Sequence, residues 1–327
     1  MTVGLGLIGL GYVGNIHMRN CRKLSGARLV AASDISKAAL KAANAAGVRK
    51  TYTSYEDLLR DPDVDGVIIS LPTHLHLESA RRAAEAGKHI FMEKPLARNV
   101  AEAKETVSVA NGNSVKLMVG YPLRFDKAFA EVKRKIEGGL FGDVEVANAT
   151  YIGCGPFFHR SEGYAPVPVP DWWFKKELTG GGVLTDLGSH MINLFRWFFG
   201  EVKDVRSQLG YRLNMDFEDT AVCMMRFESG TLGIVNVGWY SQDQTLKAEL
   251  YGSVKHCVVQ HRAPSIFVTA REMLALGTSK YHWAHLTELQ HFANCIINDR
   301  SPSPSGEDGI KDLEAIEQAY KNAGILP

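Results

Sequence analysis

The sequence has few cysteines, and none is placed to form a paired motif. It contains five, an odd number, scattered along the chain: Cys21, Cys154, Cys223, Cys257 and Cys295. No Cys-x-x-Cys pair occurs, so we expect neither a disulfide framework nor a cysteine-rich zinc site. This pattern suits a reducing compartment, and we therefore expect a cytoplasmic protein.

Long apolar runs and an excess of one charge are also missing. No apolar run approaches the roughly 18 residues that a membrane helix needs. Residues 1–14 are apolar, but glycines interrupt them and no basic segment comes first, which argues against a signal peptide. With 37 Lys and Arg against 36 Asp and Glu, the net charge of +1 offers no basic surface to nucleic acid or an anionic membrane.

A chain of 327 residues is longer than one hydrophobic core usually organises, so we predict two domains. Residues 1–121 alternate short apolar runs with helical patterns, which predicts βαβ units and a parallel sheet. Residues 122–327 contain longer runs of period two, which predict an α+β domain with a mostly antiparallel open sheet. We expect the last helix of this second domain to pack back on the first. Strands of the first domain are predicted at Val3–Ile8, Leu29–Ser33, Val67–Ser70, His89–Glu93 and Val115–Val119.

A glycine motif follows the first predicted strand. Gly9, Gly11 and Gly14 form Gly-x-Gly-x-x-Gly between a strand and a helix predicted from Asn15, and Asp34 ends the next strand. This combination is the fingerprint of a dinucleotide-binding Rossmann domain, and Tyr12 and Val13 lie within the loop. The alternative is an ordinary glycine turn, with Asp34 capping the next helix.

The acidic Asp34 favours NAD as the cofactor. Its carboxylate can accept hydrogen bonds from the ribose hydroxyls and would repel the 2′-phosphate of NADP. NADP is the less favoured alternative, since Ser36 and Lys37 could accommodate that phosphate.

Ligands of open α/β sheets bind outside the carboxyl ends of the strands. We therefore expect the residues at the ends of the predicted strands Val67–Ser70 and His89–Glu93 to lie beside the glycine loop. Thr73 is predicted to cap a helix, and the alternative for His74 and His76 is an exposed helix start. The cofactor residues predicted from these two stretches are Ser70, Leu71, Pro72, Thr73, His76, Glu93 and Lys94.

A helix predicted from Asp186 carries a second group of polar residues. At 100° per residue, Asp186, His190 and Asn193 share one stripe. Asp186 can hydrogen-bond one imidazole nitrogen of His190, as general-base chemistry requires. The spacing fits equally well a carboxylate favoured by the helix dipole beside a solvated histidine. The core stripe of this helix is predicted to be Leu187, Met191, Leu194, Phe195 and Phe198.

Four motifs together resemble the glucose–fructose oxidoreductase, inositol dehydrogenase and MocA family. They are Glu-Lys-Pro at 93–95, "GYPLRF" at 120–125, "GGGVLTDLGSH" at 180–190 and "SGEDGIKDLEAIEQAY" at 305–320. With the glycine motif, the resemblance runs from residue 3 to about residue 322.

This resemblance implies a hydride-transfer mechanism with named roles. His190 would accept the proton of a substrate hydroxyl while the hydride leaves the same carbon for the nicotinamide, and Asp186 would orient His190. Lys94 would hold the hydroxyl oxygen, and Glu93 would position Lys94 or contact the cofactor ribose. The substrate residues implied are Lys94, Tyr121, Arg124, Trp172, Trp173, Asp186, His190 and Asn193.

The family also implies the substrate class and the assembly. We expect a secondary alcohol or ketone of a sugar, sugar derivative or cyclitol as substrate, and a homodimer or homotetramer formed through the C-terminal sheet. The alternative is a non-catalytic sensor of the same fold that binds nucleotide or sugar.

The stretch before the triple glycine departs from the family and leaves the substrate's identity open. Relatives often have Trp-Arg-x-Asp there, whereas this chain has Trp173 in place of the arginine and Lys175 in place of the aspartate. Trp172 and Trp173 could stack on a sugar or pack against the sheet. His282 and His285 have helical spacing, but the segment does not resemble a metal site, and none is predicted.

Overall fold

The computed structural model describes residues 2–153, 155, 170–213, 215–241, 244–262 and 283–325. Cys154, His282 and residues 265–270, which are one of the period-two runs of the second domain, lie outside these residues. The chain divides into two compact units. The first comprises Met1–Ala97, Ala101–Pro122 and Lys280–Ile310, and the second Arg98–Val100, Leu123–Ser279 and Lys311–Pro327.

The first unit contains a parallel sheet of six strands in the order β3-β2-β1-β4-β5-β6. This order confirms the predicted Rossmann fold, and β1 and β4 meet where the direction of winding reverses. The strands are β1 Val3–Ile8, β2 Ala27–Ser33, β3 Lys50–Tyr52, β4 Gly66–Ile69, β5 His89–Glu93 and β6 Leu117–Gly120.

Helices are numbered along the described chain. Among the described residues, no helix is long and apolar enough to cross a membrane. The helices are α1 Tyr12–Cys21, α2 Lys37–Ala45, α3 Tyr55–Leu59, α4 His76–Glu85, α5 Val100–Gly112, α6 Lys127–Glu137, α7 Lys176–Thr179, α8 Ser189–Phe199, α9 Trp283–Ile297 and α10 Gly306–Asn322.

Two helix starts differ from their prediction. Helix α1 begins at Tyr12, directly after the glycine turn, and so three residues earlier than expected. The prediction that Thr73 caps the next helix is wrong. Thr73 begins a 3-10 turn, and Leu75 precedes α4 without a capping hydrogen bond from its side chain.

The second unit contains a mixed sheet in the order β12-β11-β7-β10-β9-β8. Of the described strand pairs in this sheet, only β7 and β10 are parallel, which confirms the mostly antiparallel sheet. One face is buried, and Phe195 and Phe199 of α8 pack against Phe227 there. The strands are β7 Val144–Ile152, β8 Val202–Gly210, β9 Thr220–Phe227, β10 Leu232–Gly238, β11 Thr245–Gly252 and β12 His256–Arg262.

The segment predicted as one regular helix from Asp186 is wound in two ways. Leu184–Gly188 forms a π-helical turn, and α8 begins only at Ser189. Single π turns inside helices are rare and occur often at functional sites. Of the predicted core stripe, Leu187 is half-buried and the other four residues are buried.

Candidate active site

The glycine turn after β1 requires glycine at two positions. Gly9 has a φ of 92°, a value that L side chains rarely adopt. A Cβ on Gly14 would lie 2.1 Å from the carbonyl oxygen of Gly9, so α1 could not approach β1 this closely with any other residue there. These two glycines build the turn itself.

Gly11 has a different part in the turn. It is exposed, and a Cβ added to it would meet no atom within 4 Å. It precedes α1 without a side chain that could cap the helix, and the first N–H groups of a helix have no acceptor within the helix. The open space beside a helix N-terminus suits a pyrophosphate, so these residues fit NAD.

Asp34 follows β2 at the same edge of the sheet. Its Oδ2 accepts a hydrogen bond of 2.7 Å from the N–H of Leu10, and its Oδ1 accepts one of 2.7 Å from the N–H of Ser36. Each carboxylate oxygen has a further lone pair, so the group can still accept from ribose hydroxyls.

The residues after β4 and β5 are joined by a buried histidine. Nδ1 of His76 lies 3.0 Å from the carbonyl oxygen of Pro95, and Nε2 lies 2.9 Å from that of Leu71. Nearby, Oγ of Ser70 donates a 2.9 Å hydrogen bond to the carbonyl of Gly9. Pro72 is half-buried and Thr73 is buried. The contacts with cofactor predicted for these residues stay predictions, and His76 bonds to the backbone.

Lys94 is half-buried, at the end of β5. Its N–H donates a 3.2 Å hydrogen bond to Oε2 of the buried Glu93, and Oε1 of Glu93 lies 2.6 Å from Nε2 of His17. Sequence reasoning missed His17, although a histidine on the buried face of α1 was a visible signal.

Asp186 and His190 belong to the second unit, where both are half-buried. The N–H of Asp186 donates a 3.0 Å hydrogen bond to the carbonyl of Gly182, and its carbonyl accepts one of 2.9 Å from Oγ of Ser189. The ring of Tyr151 lies 6.0 Å from that of His190, centroid to centroid. Tyr151, near the end of β7, was not predicted, because nothing local marks it.

Glu218 and Tyr320 hold the start of the π turn. Oε1 of Glu218 accepts hydrogen bonds from the N–H of Leu184 at 2.9 Å and from the Tyr320 hydroxyl at 2.7 Å. A Cβ on Gly182 would lie 2.0 Å from the Glu218 carbonyl oxygen, which explains a glycine there. Burial raises the pKa of Glu218, while the hydrogen bond from Tyr320 opposes that rise.

Arg124 and Asn193 lie in a buried polar network. Nε of Arg124 donates a 2.7 Å hydrogen bond to Oδ1 of Asn193, whose Nδ2 donates one of 2.7 Å to Oδ2 of Asp312. The other oxygen of Asp312 pairs with Nη1 of Arg196 at 2.5 Å. Both ends of the Asn193 amide are therefore occupied by protein groups, and a contact with substrate remains a prediction.

The aromatic residues predicted to contact substrate differ in exposure. Tyr121 is 1% exposed, at the end of β6. Trp172 and Trp173 are half-buried, and the ring of Trp173 lies 5.1 Å from that of the buried Trp239. Trp173 thus makes a packing contact with a residue next to the sheet, which was the alternative to stacking on a sugar. Stacking on a sugar stays a prediction.

Known protein families match both halves of the chain. The GFO/IDH/MocA model described as an oxidoreductase family with an NAD-binding Rossmann fold matches residues 3–121. The model of the GFO/IDH/MocA C-terminal domain matches residues 129–255.

Individual relatives match over nearly the whole length. Myo-inositol 2-dehydrogenase of Thermotoga maritima is 29% identical, over 93% of this chain and 91% of that protein. The scyllo-inositol 2-dehydrogenase (NAD(+)) of Bacillus subtilis is 30% identical, over 97% of this chain and 93% of that protein. A solved structure of a probable dehydrogenase from Thermotoga maritima has a TM-score of 0.84 and 27% identity, covering 98% of this chain and 97% of that one.

Proposed function

The chain belongs to the GFO/IDH/MocA family of oxidoreductases, and on that premise we propose that it is an NAD-dependent dehydrogenase of sugars, sugar derivatives or cyclitols. The reaction converts a secondary alcohol to a ketone or the reverse. The observation that carries the proposal is the alignment of the glycine turn, Asp34 and Lys94 at the carboxyl ends of β1, β2 and β5.

NAD, when bound, supplies the hydride acceptor for the carbon that bears the hydroxyl. The residues of this chain bind and orient it. The first turn of α1 would hold the pyrophosphate, and Asp34 would accept hydrogen bonds from the ribose hydroxyls.

Lys94 is assigned to the substrate oxygen. An ammonium group there donates a hydrogen bond to the hydroxyl and stabilises the negative charge that develops as its proton leaves. Its half-buried position and its place directly after Glu93 support this role.

His190 is assigned the transfer of the proton, and Asp186 the orientation of its ring. A half-buried imidazole can exchange protons near neutral pH. The π turn and the contacts of Glu218 with Leu184 support these assignments, because they fix the backbone on which Asp186 lies.

The substrate class follows from the relatives. Two of them act, by name, on inositols, and they match this chain over more than nine tenths of its length. A cyclitol or a sugar of similar ring size is therefore the substrate to try first.

The test is formation of NADH from NAD with a panel of polyols, followed by absorbance. The panel contains myo-inositol, scyllo-inositol and several pyranose sugars, with a simple primary alcohol as the negative control. The proposal expects turnover with at least one ring polyol. Tight binding of NADH without turnover of any ring polyol would favour the non-catalytic sensor.

We also propose that the open face of the second sheet forms a homodimer or homotetramer. Met224 and Ile234 are directly opposite each other on β9 and β10, and they are 59% and 37% exposed. Val222, Leu232 and Val258 are further exposed apolar side chains of these strands and of β12. Exposed apolar side chains that neighbour each other on a sheet, as Met224 and Ile234 do, are typical of protein interfaces. Light scattering should show a dimer or tetramer that Ile234→Glu dissociates, and a monomeric wild-type protein would contradict this assignment.

A cytoplasmic location remains part of the proposal. The cysteines of the described residues, which include the buried Cys21 and Cys295, are free thiols, as expected in a reducing compartment. Fractionation of cells that produce the protein would test it.

A further inference from the structure

Four ionisable side chains, one of them that of Glu93 directly before Lys94, meet in the first unit. His17 of α1, Glu93 of β5 and His285 and Glu288 of α9 each direct a ligand-type atom into a space where all four atoms lie within 4.8 Å of one another. His17 and Glu288 are 0% exposed, and Glu93 is 8% exposed. We call these four residues the buried acid cluster.

The distances in the buried acid cluster are those of hydrogen bonds. Nε2 of His17 lies 2.6 Å from Oε1 of Glu93, and Nδ1 of His285 lies 2.9 Å from Oε1 of Glu288. Two ligand atoms on one tetrahedral zinc ion, each about 2.0–2.1 Å from the metal, would be about 3.3 Å apart. The geometry therefore favours shared protons over a shared metal ion.

Burial and hydrogen bonding distinguish the two carboxyl groups. Oε1 of Glu93 is held by His17, and Oε2 accepts from the N–H of Lys94. In contrast, Oε2 of Glu288 has no hydrogen-bond partner among the described residues. A buried carboxylate oxygen without a donor is costly, whereas the carbonyl oxygen of a neutral acid tolerates the same surroundings. Two buried carboxyl groups this close also favour one shared proton over two charges.

The unpartnered nitrogen of His17 completes the assignment of protons. Nδ1 of His17 is buried and has no hydrogen-bond partner within the described residues. If the ring is neutral and donates Nε2–H to Glu93, Nδ1 carries only a lone pair. If the ring were charged, Nδ1 would carry an N–H, and this buried donor would be unsatisfied. The acid proton of Glu288 can then be donated to Nδ1 of His285.

We propose that the buried acid cluster holds one proton on Glu288 and a single negative charge on Glu93, and that this charge positions the ammonium group of Lys94. Glu93 is thus a positioning residue, whereas Glu288 is its neutral neighbour and has no role in the reaction. The assigned effect on Lys94 rests on the proposed dehydrogenase function, while the protonation of Glu288 does not.

The electrostatic surroundings agree with this arrangement. Burial and the charge of Glu93 raise the pKa of Glu288 well above its ordinary value. Burial alone would raise the pKa of Glu93, but the hydrogen bond with His17 holds it below its ordinary value. Burial lowers the pKa of His285. The other groups that act on the cluster are Lys94 and His76 of α4, and burial lowers the pKa of His76.

Infrared spectroscopy of the ligand-free protein at neutral pH tests the protonation directly. A buried neutral carboxylic acid has a carbonyl stretch separate from that of carboxylates, and the wild-type minus Glu288→Gln spectrum should contain that band. Glu218→Gln is the matched control, because Glu218 is another buried glutamate with a raised pKa. The spectrum of Glu218→Gln itself should still contain the band of Glu288. Absence of the band at Glu288 would overturn the proposal.

Glu288→Gln should also fold with near wild-type stability, since a neutral amide replaces a neutral acid of similar shape. A variant that fails to fold would contradict the proposal. The proposal would also be contradicted if the purified wild-type protein contained a stoichiometric divalent metal ion and Glu288→Gln lacked it.

Kinetics separate the two carboxyl groups. Glu288→Gln should keep kcat within about twofold and the pH profile of kcat/KM unchanged, whereas Glu93→Gln should lower kcat at least about tenfold and alter that profile. Equal effects of the two variants would overturn the positioning role. If the protein oxidised no polyol, the infrared result would still decide the protonation of Glu288.

Discussion

The N–H of Leu10 donates a 2.7 Å hydrogen bond to Oδ2 of Asp34, and so joins the turn after β1 to the end of β2. The other oxygen, Oδ1, accepts from the N–H of Ser36 at the same distance. The carboxylate that we assign to the ribose is therefore held in place by the backbone before any cofactor binds. Its position is a property of the folded first unit.

We expect Asp34→Asn to weaken the preference for NAD over NADP. The substitution removes the charge that repels a 2′-phosphate and one of two acceptor oxygens, so the ratio of kcat/KM for NAD to that for NADP should fall about tenfold or more. Asp57→Asn, at an exposed aspartate of α3, is the control and should leave the ratio unchanged. An unaltered ratio in Asp34→Asn would remove the basis for assigning Asp34 to the ribose.

Alanine should affect cofactor binding at one glycine of this turn and stability at another. Gly11→Ala should leave the free energy of unfolding unchanged, because its Cβ meets no atom within 4 Å, but should weaken NAD binding at least about tenfold by filling the space for the pyrophosphate. Gly14→Ala should destabilise the protein, because its Cβ would lie 2.1 Å from the Gly9 oxygen. Urea unfolding and NADH fluorescence titration measure the two effects. Normal NAD affinity in Gly11→Ala would mean that the cofactor does not bind over this turn.

Tyr320→Phe should destabilise the second unit. It removes the donor at 2.7 Å from Glu218 and leaves the buried Thr185 hydroxyl without its partner at 3.0 Å. Loss of such buried contacts costs about 1–3 kcal/mol in the free energy of unfolding. Tyr211→Phe, at an exposed tyrosine, is the matched control and should change the free energy of unfolding by less than about 0.5 kcal/mol. Equal stabilities of the two variants would show that the contacts of Tyr320 do not stabilise the π turn.

His261 should make a stabilising contribution that depends on pH. Its Nε2 lies 3.3 Å from Oδ1 of Asp126, the residue that caps α6, and this ion-pair contact with Asp126 raises the pKa of His261. Since the folded pKa lies above the unfolded value of about 6.5, the contribution is complete below pH 6.5 and is lost as the pH rises through the folded pKa.

The measurement is urea unfolding of His261→Gln at about pH 5.5 and about pH 9. The side chain is about a third exposed, so the loss at the lower pH should be only about 0.5–1 kcal/mol and should shrink at the higher pH. His256→Gln, at an exposed histidine on the same strand, should lose nothing at the lower pH beyond what it loses at the higher one. A loss in His261→Gln that grows with pH would contradict the assignment.

Local patterns were enough to predict the part of the site that lies at the sheet edge. Strands β1 and β5 match their predicted ranges, Val3–Ile8 and His89–Glu93, because buried parallel strands are continuous apolar runs bounded by turn residues. A parallel sheet then brings the strand ends together, so Asp34 and Lys94 could be placed at the same edge from sequence.

Features that depend on distant contacts could not be predicted. The π turn at Leu184–Gly188 is held by Glu218, 34 residues away from Leu184, and by Tyr320. A helical wheel contains no information on such distant contacts. The prediction therefore assumed the regular spacing of an α-helix between Asp186 and His190 and missed the π turn. In the same way, His17 lies 76 residues from Glu93, and nothing local to α9 shows that His285 and Glu288 join them.

The role of Lys94 is the central claim, and steady-state kinetics of Lys94→Ala test it most directly. With NAD and a ring polyol that the wild-type protein oxidises, we expect kcat to fall at least about 100-fold while the Kd for NADH changes less than about threefold. The exposed Lys41→Ala is the control and should match the wild type. Turnover by Lys94→Ala at the wild-type rate would contradict the account.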